Sequence, residues 1–355
     1  MSGRARKHLK EVLGFALALL LLFGVLHTSN LGKVVAGIRT FPLYLAPLLF
    51  TLVALREAVR VVEWRLLLQH LGIAARWRRS TLALLVGDAG QIVPGGIYAS
   101  NAVLKQEEDA NVARSLSATM AMQLLESFLC LVILSALGVS GWPWLRPVAI
   151  VVLLGFLGFL ALVTSPPLIR WLDERAGSRR LVVSLVDGLK QFLQGIQGLL
   201  SPPLLLKATG LAAAHLIFTI AALYVIVLGL GLMHISPLQV AAVYAFVLAV
   251  INLNPLPTDV GVSEGSGITI FAATGVPQAQ GLMAMLLVRF AIIGSTAILL
   301  GLALVRWHNE LGHLTEGPRL AEPAADESRV VAEGQPPAED ASALPTSTIN
   351  ADGPD

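Results

Sequence analysis

A single cysteine, Cys130, occurs among 355 residues, which excludes an intrachain disulfide. It lies inside an apolar run, where packing is its expected role. Charge is scarce too: 14% of residues are Asp, Glu, Lys or Arg against 55% hydrophobic, with a mean hydropathy of +0.74. That balance excludes a soluble domain. The phosphate-binding pattern G-x-x-x-x-G-K-[ST] is missing, so no nucleotide hydrolysis by this chain is expected. No nucleophile–base constellation and no metal-ligand cluster is visible. The expectation is therefore a protein that is not an enzyme and needs neither cofactor nor metal.

What the sequence does contain is apolar stretches of bilayer length. A hydrocarbon core ~30 Å thick takes roughly 20 helical residues. Such runs recur at 12–27, 42–62, 116–139, 146–165, 204–231 and 278–305. The first follows RARKHLKE and resembles a signal peptide. No small-x-small cleavage site comes after Val25, so it reads as a retained helix. Two further apolar segments, 80–93 and 238–256, each run into a Pro/Gly break. The expected fold is an all-α polytopic membrane protein with about six full transmembrane helices plus two Pro/Gly-broken re-entrant hairpins.

Two regions are expected: a membrane domain over 1–312 and a disordered, acidic, Pro/Ala-rich tail over 313–355. From about residue 315 the tail carries nine acidic and two basic residues, so the chain's net +2 leaves +9 on residues 1–314. The positive-inside bias accounts for this better than a nucleic-acid partner does. Arg4, Arg6, Lys7 and Lys10, six arginines from Arg56 to Arg79, and a third basic group over 165–207 would all be cytoplasmic. The linkers 28–41, 140–146 and 232–237 hold only Lys33, Arg39 and Arg146. This places both termini in the cytoplasm and the chain in the cell (cytoplasmic) membrane as a multi-pass protein. It also requires residues 80–115 to enter and leave on the cytoplasmic side. Trp64, Trp77, Trp142, Trp144, Trp171 and Trp307 fall near expected span ends, as an aromatic belt would. The stripe Leu185, Leu189, Phe192, Ile196 and Leu199 reads as an interfacial helix.

The breaks themselves are the informative stretches. Residues 252–267 read NLNPLPTDVGVSEGSG, with Pro255, Pro257 and Gly261 interrupting the helix; upstream, Pro94, Gly95 and Gly96 do the same. Non-helical backbone at membrane depth is tolerated only where protein or a wet cavity covers it. A shift of 163 residues places Pro94 on Pro257, Ser100 on Ser263, Met120-Ala121-Met122 on Met283-Ala284-Met285, and Glu126 on Arg289. Three expected spans lie between the breaks, so the second unit would be inverted relative to the first. Alternating-access transporters place their sites between such repeats.

Ionisable side chains within spans face protein or water and commonly have partners. Glu126 and Arg289 occupy equivalent depths, and two readings stand. In one they form an ion pair locking the halves together. In the other Arg289 holds an anionic group such as a lipid phosphate, which its planar fork suits. Asp88 and Gln91, one turn apart, together with Gln123, Asn252, Asn254, Asp259 and Glu264, are the other polar candidates. Asn252 and Asn254 also suit a helix cap and Asp259 a turn. Glu264 also suits a helix N-terminus. His215 reads either as a proton relay or as a satisfied helix histidine.

The segment PTDVGVSEGSGITIFAATGVPQAQGLMAMLLVRF resembles the P-x-x-G-G-x-G-x-x-E, Gly-Val, span-Arg pattern of the lysylphosphatidylglycerol synthase transmembrane, or flippase-like, family. IVPGGIYASNAVLKQEE resembles that family's upstream Pro-Gly element. The resemblance covers roughly 10–307. The family's Gly-Gly pair reads Asp259-Val260-Gly261 here, and its usual arginine after the first Pro-Gly element has no clear counterpart. It implies a membrane protein that moves or handles lipids, here without the cytoplasmic aminoacyl-transferase domain of some members. The expected function is a lipid flippase or lipid-linked precursor transporter with a midplane polar groove. Membrane lipids, anionic or glycosylated, would be the partners. The alternatives are a membrane-embedded enzyme modifying lipid head groups, or the membrane partner of a separate lipid-modifying enzyme. In the leading reading Arg289 would grip phosphate and Glu126 would compete for it.

Overall fold

The computed structural model describes residues 41–90, 98–108, 111–139, 142–163, 180–253 and 261–307, together with Arg39 and Ser165. The expected first span at 12–27, the break residues Gln91, Pro94, Gly95, Gly96, Pro255, Pro257 and Asp259, and the tail lie outside them.

The protein is an all-α polytopic membrane protein. A short 3-10 turn, Leu43–Leu45, leads into α1 (Ala46–His70), α2 (Trp77–Ala89), α3 (Ala99–Glu108), α4 (Val112–Leu137) and α5 (Leu145–Val163). There follow α6 (Arg180–Leu199), α7 (Pro202–Gly229), α8 (Pro237–Leu253), α9 (Val262–Ala273) and α10 (Gln278–Arg306). Among the described residues, α4, α7 and α10 are long and apolar enough to cross a membrane. The apolar stretches Leu145–Gly158 and Pro237–Asn252, within α5 and α8, are shorter.

Local chemistry sets the ends of these helices. Asn111 caps α4, its side-chain oxygen accepting from the N–H groups of Ala113 at 3.0 Å and Arg114 at 3.3 Å. At the other end of α4, Gly138 adopts φ 63°, a left-handed value that a residue with a Cβ resists. Prolines in the first turns of α1 and α7 give up only N–H groups that have no helical acceptor there.

The packing follows a symmetric plan. α2 and α3 pack on each other as α8 and α9 do; α2 leans on α10 and α8 on α4. α1 touches α10 as α7 touches α4, while α1 and α7 pack together at the centre. Exchanging α1–α4 with α7–α10 leaves this pairing unchanged. The 163-residue offset carries Ala99, the first residue of α3, onto Val262, the first of α9. At one end of the bundle Leu238, near the start of α8, and Thr274, just after α9, line a single crevice with Gly138 and Arg146. The start of α8 and the residue after α9 thus lie near each other.

The buried core falls into two apolar masses. One joins Val61, Trp64 and Leu68 of α1 with Ala83, Leu104 and Met122 from the α2–α4 unit and Leu204 and Ala208 at the start of α7. The other joins Leu223, Ile226, Val243, Phe271, Ala284 and Val288, with Leu49 of α1 and Cys130 and Leu134 of α4. Cys130 is fully buried packing, as its place in an apolar run suggests. Read along α1, α4 or α7, one mass gives way to the other around a short polar interval.

Two expectations are corrected here. Trp64 belongs to no aromatic belt: it is fully buried, and its Nε1–H donates to Thr119 Oγ1 at 3.2 Å. An indole brings a large apolar surface and one donor, and a core with a hydroxyl at the right place takes both. The stripe on α6 is not wholly interfacial either. Leu193, Ile196 and Leu199 are buried, and α6 packs on α4 closely enough for Ser117 Oγ to reach Phe192 O at 3.0 Å.

Candidate functional site

The second broken segment ends in a charged clasp. Gly261, with φ 82°, turns the chain into α9, and Glu264 follows in the first helical turn. Its Oε2 accepts the Gly261 N–H at 2.7 Å, where a carboxylate also meets the positive end of the helix dipole. Its Oε1 lies 2.9 Å from Nε of Arg289 on α10. Arg289 Nη2 donates to Ser263 Oγ at 2.6 Å, so the guanidinium plane is held at two points from one helix start. The two partners differ in exposure: the Glu264 side chain is 1% exposed and that of Arg289 is 21%. Close helix approach supports the clasp, since a Cβ on Gly267 would stand 2.3 Å from Met285 Cγ.

Between the two apolar masses lies a second polar group, centred on α1. Arg56, Glu57, Arg60 and Glu63 follow one another at helical spacing and all are buried. Arg60 Nη1 meets Asp88 Oδ2, near the end of α2, at 2.6 Å. Arg56 pairs with Glu57, whose Oε1 also accepts from Thr296 of α10 at 3.1 Å. Glu126 of α4 pairs with His215 of α7, Oε1 to Nε2 at 2.9 Å. All of these groups lie well inside their helices except Asp88, the penultimate residue of α2. Glu126 is about 21 Å along α4 from its first residue at 1.5 Å per residue. Buried charge survives where it is paired and hydrogen-bonded, and this layer gathers partners from five helices.

The expected site residues thus divide into two groups. Glu264 and Arg289 come together in the clasp, with the helix-terminus reading of Glu264 holding at the same time. Asp88 and Glu126 join the central layer instead. The structure gives Glu126 and Arg289 different partners, His215 and Glu264, so the expected lock between them is replaced by two separate pairs. His215 is a partnered core histidine. Asn252, rather than capping its own helix, donates to Ser127 Oγ at 2.7 Å, beside Glu126. Gly261 makes the turn; Gln91, Asp259 and the prolines of both breaks lie outside the described residues.

Arg56 and Arg60 require a second correction. The charge distribution along the sequence places them in a cytoplasmic basic cluster, yet each is 6% exposed and faces acids inside the bundle. The signal available in the sequence was spacing. In REAVRVVEWR, residues 56, 60 and 63 fall on one helical face together with the apolar Val53 and Leu67. Charges that share a face with core residues are placed for burial rather than for a membrane surface.

Residues 12–301 match the family model described as lysylphosphatidylglycerol synthase TM region. Among curated proteins no match is found.

Proposed function

This chain belongs to the lysylphosphatidylglycerol synthase transmembrane-region family, and from that premise we propose that it moves a lipid or lipid-linked precursor across the cytoplasmic membrane. In this reading a head group occupies a polar groove between the two broken segments while its acyl chains stay in the bilayer. The chain acts as a carrier and not as an enzyme. Its N-terminus and tail face the cytoplasm, and its ligands are anionic or glycosylated membrane lipids.

The observation that carries the proposal is the asymmetric clasp. A buried glutamate, anchored by the backbone at Gly261, presents a partly exposed arginine at the end of a broken membrane segment. A guanidinium fork suits a phosphate oxygen pair as well as a carboxylate. A lipid phosphate can therefore replace Glu264 as the partner of Arg289, so that Glu264 takes the competing role the sequence had suggested for Glu126. The exchangeable packing of α1–α4 and α7–α10 supports the same reading, since rocking of one repeat against the other exposes a central site to each side in turn. Purified protein in liposomes is expected to accelerate transbilayer movement of at least one anionic or glycosylated lipid, and Arg289→Ala to abolish it. Absence of movement across a broad lipid panel would sink the proposal.

A further inference from the structure

The clasp accounts for Arg289 and Glu264 but leaves the central layer without a task. Its charges do not balance. Arg56 and Arg60 face four buried carboxylates: Glu57, Glu63, Asp88 and Glu126. Arg56 is matched to Glu57 and Arg60 to Asp88, with Glu57 and Asp88 also against each other, while Glu126 has the imidazole of His215. Glu63 is left over. It is 0% exposed, and neither of its oxygens has a hydrogen-bond partner among the described residues. Its charged neighbours are Glu126 and Arg60. His215 Nδ1 is likewise buried without a partner among those residues.

A buried carboxylate beside a second carboxylate, with no donor of its own, is neutralised by a proton. The layer reaches zero net charge when it holds two protons beyond those on the arginines: one on Glu63 and one shared between Glu126 and His215. Glu63 lies at the edge of the polar interval of α1, next to the fully buried Trp64. The other titratable groups that reach the layer are Cys130 on α4 and Tyr244 on α8, both near Glu126. α10 contributes the neutral hydroxyl of Thr296.

We propose that Glu63, Glu126 and His215 form a proton-binding site, distinct from the clasp, that couples proton movement to lipid movement. The coupling rests on the transport reading above; the proton site does not. The mechanical link is visible at both broken arms. Asp88, the penultimate residue of α2, is held by Arg60, and Asn252, the penultimate residue of α8, is held by Ser127 next to Glu126. Losing the proton from Glu63 places a new negative charge beside Arg60 and weakens its hold on Asp88. One chemical event at the centre thereby reaches the inner end of the first arm, and the Glu126 side of the site touches the inner end of the second.

Infrared spectroscopy of the full chain in nanodiscs tests the site directly. At neutral pH the wild type is expected to show the carbonyl stretch of a protonated carboxylic acid, shifted in D2O and lost in Glu63→Gln, which is nearly isosteric. Gly195→Ala, which strains the α4–α6 contact without touching these groups, is expected to retain the band and so guards against destabilisation as the cause of its loss. Absence of the band in the wild type, or its persistence unchanged in Glu63→Gln, overturns the proton site whatever transport shows. In proteoliposomes at zero membrane potential, one coupled proton is expected to bias lipid distribution about tenfold per unit of pH gradient. Lipid movement that ignores the pH gradient, or follows a sodium gradient instead, overturns the coupling and leaves the transport reading standing. No lipid movement under any gradient, with the infrared band intact, overturns coupling and transport together and upholds the proton site.

Discussion

Replacing Glu264 separates two jobs that the structure gives to one side chain. Its Oε2 caps the start of α9 through Gly261 N–H at 2.7 Å, and its Oε1 holds Arg289 at 2.9 Å. Glu264→Ala removes both. A lost cap costs about 0.5–2 kcal/mol, and a hydrogen bond between charged partners contributes about 1.5–3 kcal/mol. Arg289 retains 21% side-chain exposure, so water recovers part of its solvation and the expected total is about 2–4 kcal/mol. Glu264→Gln keeps one oxygen to accept from Gly261, as glutamine does at the third helical position, but replaces the oxygen facing Arg289 with an NH2 donor. Its expected cost is about 1–3 kcal/mol, the charge-assisted bond to Arg289 discounted for that side chain's exposure, with the cap retained. Thermal unfolding in nanodiscs, followed by tryptophan fluorescence, should rank wild type above Glu264→Gln and Glu264→Ala lowest. If the two variants unfold together, charge and cap are not separable as argued; if Glu264→Ala matches wild type, the clasp carries no stability and the reasoning fails.

Two further outcomes follow from packing. A Cβ at Gly195 would lie 2.4 Å from Ser117 Oγ and 2.8 Å from Ser117 Cβ, so Gly195→Ala should cost about 1–3 kcal/mol by overpacking the α4–α6 contact. Gly195→Ala combined with Ser117→Ala should recover only part of that loss in the same unfolding assay, because the Ser117 Cβ remains. Cys130 is fully buried between α4 and its neighbours, so a thiol-specific maleimide should label the folded protein far more slowly than the denatured one, with labelling read by mass shift. Rapid labelling of the folded protein would contradict the packing described.

Much of the fold could be read from the sequence because its signals are local. Apolar length marked α4, α7 and α10. Proline and glycine fall between α2 and α3 and between α8 and α9, and a gapless 163-residue offset aligns the start of α3 with that of α9. Glu264 was legible for the same reason, since its cap partner Gly261 is only three residues away. The central layer was not legible because its partners are distant in the chain. Arg60 finds Asp88 across 28 residues and Thr296 finds Glu57 across 239. An arginine at the end of an apolar run looks the same to a charge count whether it meets lipid head groups or a buried acid. Trp64 was misplaced for the same reason: its partner Thr119 lies 55 residues away. Pairing Glu126 with Arg289 by equivalent depth failed because each has a nearer partner, His215 on α7 and Glu264 on α9.

The central claim is that Arg289 carries a lipid head group, and head-group binding and transbilayer movement in one preparation test it most directly. Proteoliposomes containing wild type, Arg289→Lys and Arg289→Ala would be assayed for the movement of head-group-labelled lipids, with native mass spectrometry of the same samples for co-purified lipid. The account predicts rapid movement and a bound anionic or glycosylated lipid in the wild type. Both should be reduced in Arg289→Lys, which keeps charge but loses the fork, and both should be absent in Arg289→Ala. Movement and lipid binding that persist unchanged in a folded Arg289→Ala protein would contradict it.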